Sequence, residues 1–199
     1  IRRLIAWFVS PLAMLVAGPL ADKVMEPAMQ PNGSLVSVYG SLVGTGPGAG
    51  MALLFIFFGL VAVCGTYYVQ AQAVSAQAWW AAVVMGLLTV NILVVNNLRD
   101  IENDRKGGKR TLAARFGKTF ARFEYISSVI VACLIPILLW INTGSHPYAM
   151  IASVTLLLSV PAIRTVLTKS DGPSLNNALA MTGKLLLVYS MLFSIGWLL

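Results

Sequence analysis

The sequence predicts an all-α, polytopic membrane helix bundle of about six apolar segments, and three observations carry that expectation. The chain is 58% hydrophobic and only 11% charged, which excludes the composition of a soluble globular domain. Apolar runs close to the roughly 20 residues that cross a bilayer recur along its length. The charge is segregated: eight of the fourteen Lys and Arg lie between Arg99 and Arg122, beside three of the seven acidic residues, Asp100, Glu102 and Asp104. The net charge of +7 sits in loops that border apolar segments, where it sets topology and meets anionic groups, so it is no argument for nucleic acid. Residues 1–199 read as a single transmembrane helical domain surrounded by the lipid bilayer.

The segments follow in order. Arg2-Arg3 precede a short apolar run, Leu4–Ala21, interrupted by Pro11 and by Gly18-Pro19. Asp22–Gly50 is rich in Gly, Pro, Ser and Asn and reads as an irregular loop, with Asp22 and Glu26 in a solvated interfacial turn. Met51–Val69 is a spanning helix. Ala71–Ala78 carries no charge, and Trp79-Trp80 stand where an interfacial aromatic belt would. Trp79–Val95 returns across the membrane. Thr111–Arg115 reads as a short amphipathic interfacial helix stopped at Gly117. Phe120–Ile141 spans again, Asn142–Pro147 is a second uncharged loop, and Tyr148–Leu167 returns, kinked by Pro161 near its end. Thr168–Gly183 is polar, and Lys184–Leu199 is the last span.

The alternation of basic and uncharged loops places Arg99–Arg122 and Arg164–Lys184 on the cytoplasmic side of the cell's inner (plasma) membrane and the loops at 71–78 and 142–147 outside. If Leu4–Ala21 spans, Arg2-Arg3 fall outside, against the same rule. The start at Ile1 rather than Met suggests a preceding segment that would set the topology. Cys64 and Cys133, each inside an apolar segment, read as small buried hydrophobes. His146 stands alone in a loop and cannot form a metal cluster.

The chemistry is concentrated in residues 96–122. If the helix entering this region continues through Asp104, then Asp100 and Asp104 are four apart on one face, with Cβ atoms about 5–6 Å apart. Two carboxylates so placed can hold Mg²⁺, which takes a few carboxylates together with substrate phosphates and water. Arg99 and, after the Gly107-Gly108 break, Lys109 and Arg110 could grip phosphate oxygens. Arg105 and Lys106 are further candidates, and Arg164 and Lys184 border the next basic loop and could close the same pocket. Asn96 and Asn97 lie one turn before the carboxylates, within reach of an acceptor substrate or of the metal's water shell. The plain alternative is a charged helix end with intrahelical ion pairs, basic topology signals and asparagines that join neighbouring helices. Carboxylates at a membrane edge are costly, which favours the functional reading.

These residues also carry a resemblance. The string Asn96-Asn97-Leu98-Arg99-Asp100-x-x-x-Asp104-x-x-x-Gly108-Lys109-Arg110-Thr111-Leu112 resembles the second aspartate-rich motif of the UbiA superfamily of intramembrane prenyltransferases, in the form found in its members that prenylate 1,4-dihydroxy-2-naphthoate. Residues 57–70 resemble the preceding helix and the segment from Lys184 the C-terminal one, so the likeness runs from about Phe55 to Leu199. It implies transfer of a polyprenyl group from polyprenyl diphosphate to dihydroxynaphthoate, with loss of CO₂ and diphosphate, giving demethylmenaquinone. It implies Mg²⁺ on Asp100 and Asp104 as the catalytic pair, diphosphate on Arg99, Lys109, Arg110, Arg164 and Lys184, and the substrate beside Asn96 and Asn97.

The sequence departs from the superfamily in one respect. Its members use two acidic motifs on opposite halves of a nine-helix bundle, whereas this chain has no Asn-x-x-x-Asp of the first motif, and Asp22-x-x-x-Glu26 is not a match. The resemblance therefore implies the C-terminal two-thirds of such a bundle, inactive by itself. Two alternatives stay open: another UbiA-type acceptor (hydroxybenzoate, homogentisate or chlorophyllide), and a membrane transporter subunit with Asp100 and Asp104 in an ion path. Position separates the second, because a transport carboxylate belongs near mid-membrane and these stand at a helix end.

Overall fold

A computed structural model describes residues 21–43, 45, 60, 62–109 and 111–199. Helix α1 (Val36–Val43) follows a π-helical turn at Ala21–Met25 and a short turn at Glu26–Ala28. The long helices are α2 (Ala76–Lys106), α3 (Leu112–Thr143), α4 (Thr155–Thr168) and α5 (Gly172–Leu198). A 3₁₀ segment at Pro147–Val154 leads into α4, and the two together make one apolar stretch of 22 residues. Four helical stretches among the described residues are thus long and apolar enough to cross a membrane. Of the six expected segments, Leu4–Ala21 lies outside the described residues except for the backbone of Ala21. Most of the first half of Met51–Val69 lies outside them too, while residues 62–71 are helical. The side chains of Asp22 and Glu26 lie outside the description as well.

The helix starts are written locally. Ser75, Thr111 and Asp171 each adopt extended backbone and accept, through a side-chain oxygen, the N–H three residues on: Ala78 at 3.2 Å, Ala114 at 3.2 Å and Ser174 at 3.0 Å. The expected stop at Gly117 is present as a break inside α3, where φ 86° and ψ −179° are open essentially to glycine alone. It separates a short first section from the spanning section. Helix α4 runs through Pro161 to Thr168.

One boundary differs from expectation in a way that matters. The polar stretch expected over 168–183 shrinks to residues 169–171, because Asp171 caps α5 and Pro173 sits in its first turn, where proline is well tolerated. Lys184 therefore lies well inside α5 rather than at a loop border.

Helix α2 packs along both α3 and α5, and the 3₁₀ segment packs against α5 and α3. Two contacts set the α2–α5 register. Arg99 meets Asn176 and Met85 meets Ser190, fourteen residues apart on each helix and in opposite order, so the pair is antiparallel. The interior mixes large side chains such as Leu88, Ile101, Tyr125 and Tyr189 with small and hydroxylated residues, among them Ala82, Ala121, Ala132, Ala178, Ser159 and Thr182. Large apolar side chains such as Leu138, Ile141, Leu157, Leu187 and Met191 point outward. Small buried residues beside an apolar exterior suit helices packed in lipid, where close approach and interhelical hydrogen bonds replace the hydrophobic effect. One buried polar layer joins three helices. Asn91 Nδ2 donates to the Tyr125 carbonyl at 3.2 Å, the Tyr125 hydroxyl donates to Thr182 Oγ1 at 2.9 Å, and Thr182 donates to the Ala178 carbonyl at 2.8 Å. Asn91 Oδ1 has no hydrogen-bond partner among the described residues.

Candidate functional site

Helix α2 continues unbroken through both carboxylates to Lys106. Its 31 residues make a rod of about 46 Å, against a hydrocarbon core of about 30 Å. The C-terminal turns that carry Asp100 and Asp104 therefore extend toward or beyond the membrane edge. The two are four apart on the helix as expected, yet their neighbourhoods differ. Asp104 continues the buried stripe of Leu98 and Ile101 and is only 6% exposed. Lys109 Nζ stands 3.6 Å from its Oδ1, and Thr111 Oγ1 makes a long 3.5 Å contact to its Oδ2. Its carbonyl also accepts the Lys109 N–H at 2.8 Å, so Asp104, in the last turn of α2, is tied to the tight turn that leads to α3.

The Asp100 side chain is 29% exposed and is gripped by its own neighbour. Arg99 Nε donates to Asp100 Oδ1 at 2.8 Å and Nη2 to Oδ2 at 2.6 Å, a two-point fork. The same guanidinium reaches Asn96 Oδ1 at 2.8 Å and, across on α5, Asn176 Oδ1 at 2.6 Å. Asn97 is half-buried.

The other basic residues do not all converge on this pair. Lys109 does, through Asp104. Arg105 donates to the Ala114 carbonyl at 3.0 Å and Arg115 to the Gly40 carbonyl at 3.2 Å, which ties α1 to the start of α3. Arg122 holds the end of α4 and the loop before α5 by donating to the carbonyls of Val166 (2.9 Å) and Lys169 (3.1 Å) and to Ser170 Oγ (3.2 Å). Arg164 and Lys184 are exposed, and their side chains bond neither Asp100 nor Asp104. Arg110 lies outside the described residues.

A helix-borne acid pair, asparagines one turn before it and a basic turn after it now stand on a bundle of membrane-spanning length. The sequence profile of the UbiA prenyltransferase family matches residues 35–198. The chain belongs to the UbiA prenyltransferase family. Among its relatives, a 1,4-dihydroxy-2-naphthoate octaprenyltransferase of Mycobacterium leprae is 35% identical over 144 residues, 72% of this chain and 48% of the relative. One of Escherichia coli is 30% identical over 168 residues, 82% of this chain and 54% of the relative. The human UbiA prenyltransferase domain-containing protein 1 is 28% identical over 147 residues, 74% of this chain and 42% of the relative. The chain spans about half the length of the curated relatives it matches. No solved structure matches it. Membership of UbiA, together with the four apolar helices, makes this a multi-pass membrane protein.

The donor set of this UbiA chain suits a hard cation that relies on its substrate. Asp100, Asp104 and Asn96 offer only oxygen, the ligand type of Mg²⁺. No group of three or more His, Cys, Asp or Glu side chains clusters among the described residues, so a cation here would need phosphate oxygens or further protein ligands as well. Sequence reasoning missed Asn176 and Arg122. Asn176 was hidden by the misplaced loop, although Asp171 followed by Pro173 is a helix-start signal that would have put it in the first turns of α5. Arg122 sat in a basic run read as topology, and nothing in the sequence shows that its guanidinium turns toward carbonyls of α4 and the loop after it.

Proposed function

We propose that this chain carries the second acidic motif of an enzyme that transfers a polyprenyl group from polyprenyl diphosphate to 1,4-dihydroxy-2-naphthoate, with the site facing the cytoplasm. The observation that carries the reading is the placement of Asp100 and Asp104 in the last turns of α2, among Arg99, Lys109 and Asn96, in a chain 30–36% identical to several relatives of that name. UbiA prenyltransferases are generally metal-dependent, and the oxygen donors here fit Mg²⁺. When bound between carboxylates and diphosphate, the ion would offset charge on the leaving group.

The residues of this chain do the rest. Asp100 and Asp104 supply the carboxylates. Lys109, which reaches Asp104 from an exposed position, and Arg110 would meet charge on the departing diphosphate oxygens. Arg164 and Lys184, which bond neither carboxylate, are further candidates for the same task. As the allylic carbon–oxygen bond breaks, its electron pair leaves with diphosphate, and the electron-rich naphthoate carbon bearing the carboxylate bonds to the allylic carbon. Loss of CO₂ returns its bonding pair to the ring, which yields the prenylated naphthalenediol, the reduced form of demethylmenaquinone. Asn96 and Asn97 stand at the level where the acceptor would lie, and the surrounding helices keep water from capturing the cation-like carbon. Lipid beside the outward apolar faces can take the prenyl tail.

Membranes carrying the full-length gene product, supplied with dihydroxynaphthoate, a long prenyl diphosphate and Mg²⁺, are expected to release CO₂ and form the prenylated product. Prenylation of 4-hydroxybenzoate with dihydroxynaphthoate untouched would move the assignment to another acceptor class.

A further inference from the structure

The Arg99 guanidinium has five N–H groups. Two serve Asp100, one serves Asn96, and one crosses to Asn176 on α5. Among the described residues one N–H is left for any phosphate. Arg99 is thus built as a bracket more than as a phosphate hand, and among the described residues its tie to another helix is Asn176. That residue is itself well anchored. Asp171 caps α5 just before it, and Arg122 pins Lys169 and Ser170 at the end of the preceding loop. An unbroken series of contacts therefore runs from α3 through the loop and α5 to the Asp100 carboxylate on α2.

We propose that Asn176 is a positioning residue for the acidic motif: by holding the outer nitrogen of Arg99 it fixes the plane of the Asp100 carboxylate and leaves the two outward lone pairs free for a cation. This rests on the reading of Asp100 as a metal-binding carboxylate. The two-point fork restrains Asp100 only if the guanidinium is itself restrained. A salt bridge between sequence neighbours on one helix turns freely with the arginine side chain, whereas a third attachment on a different helix removes that freedom. Outer contacts of this kind commonly change metal affinity by about 10–100-fold when lost.

The test uses the full-length protein in detergent with Asn176→Ala, Arg99→Ala, the double variant and Asn176→Asp. Thermal unfolding without Mg²⁺ reads the tether: the two alanine effects should be non-additive, Asn176→Ala lowering Tm clearly in the presence of Arg99 and hardly at all in its absence. Additive effects would overturn the proposal. The upward Tm shift produced by Mg²⁺ with inorganic diphosphate then reads the cation. Asn176→Ala should need about tenfold more Mg²⁺ for half the shift and for half-maximal turnover, with kcat at saturating Mg²⁺ nearly kept. Asn176→Asp, which keeps an acceptor at the same reach, should restore the tether. An unchanged Mg²⁺ requirement in Asn176→Ala, or no Mg²⁺ shift in the parent protein, would also overturn the proposal. Failure of the parent protein to prenylate any aromatic acceptor would instead strike the functional reading, while the Tm cycle still decides the tether.

Discussion

The two ends of the bundle are held together by different means. At the end opposite the motif, backbones approach closely and hydroxyls reach carbonyls of neighbouring helices. Tyr189 donates to the Ala132 carbonyl at 2.9 Å, Ser153 to the Cys133 carbonyl at 2.6 Å, and Gly196 lies so near the Tyr148 carbonyl that a Cβ would collide with it. His146 stacks on Trp197 with ring centroids 4.1 Å apart. At the motif end the ties are charged side chains at helix termini: Arg99 to Asn176, Lys109 to Asp104, Arg122 to the loop before α5. Backbone packing has no alternative partner in lipid, so the far end is a fixed frame. Charged side chains near the membrane edge can exchange a protein partner for a phosphate or a cation. The difference separates scaffold from candidate site within the same four helices.

The largest effect expected is on activity at the motif end. Asp104→Asn keeps the size of the side chain and an oxygen for Thr111, so the folded protein should remain, while loss of one carboxylate should cut turnover about 100-fold, by the scale of metal-site substitutions. Turnover assays at rising Mg²⁺ check this, and near-normal turnover would separate Asp104 from the chemistry. The alanine variants sharpen the contrast between the two carboxylates. Asp104→Ala empties a buried position in the last turn of α2 and should cost about 1–3 kcal/mol of stability. Asp100→Ala removes a more exposed ion pair and should cost under about 1 kcal/mol.

Much of the fold was legible because membrane spans are long and uniformly apolar. The spans corresponding to α2, α3, the 3₁₀–α4 stretch and α5 all read from composition, and the stop at Gly117 read from a glycine after an amphipathic turn. The continuation of α2 through Asp104 placed both carboxylates on one helix, as their spacing required. What did not read was which neighbour each side chain would meet. Spacing puts Asp100 and Asp104 near one another but cannot say that Asp104 falls on the buried stripe with Leu98 and Ile101, since that depends on the phase of packing along 31 residues. Lys184 lies inside α5 and not at a loop border because the polar residues at 174, 176 and 177, which read as loop, belong to the first turns of a helix near a membrane edge.

The second effect should be confined to the frame. Gly196→Leu places a side chain against the Tyr148 carbonyl, which is backbone and cannot swing aside. Such overpacking typically costs about 1–3 kcal/mol, seen as a lower Tm in detergent. The fraction that still folds should show an unchanged Mg²⁺ requirement, because the substitution lies at the opposite end of α5 from Asn176. A raised Mg²⁺ requirement would mean that the two ends are not independent.

The smallest effect concerns the junction between loop and frame at Asp171. Its carboxylate accepts the Ser174 backbone N–H, and this bond, made at a helix N-terminus, holds its pKa below the ordinary aspartate value, with help from nearby Lys169. A carboxylate depressed in the folded state adds stability that is fully present above its unfolded pKa and is lost as pH falls through the folded one. The contribution should therefore be constant from neutrality down to about pH 5 and shrink below about pH 4, the range in which an unperturbed aspartate titrates. Many carboxylates protonate over that range, so the wild-type curve alone is not diagnostic. Asp171→Asn supplies the reference, because asparagine caps a helix almost as well but carries no charge to lose. The Tm difference between wild type and Asp171→Asn should be small and flat above pH 5 and should close toward pH 3. A difference that stays constant to pH 3 would mean that the cap acts through geometry alone, and that charge contributes nothing to how α5 presents Asn176 to the motif.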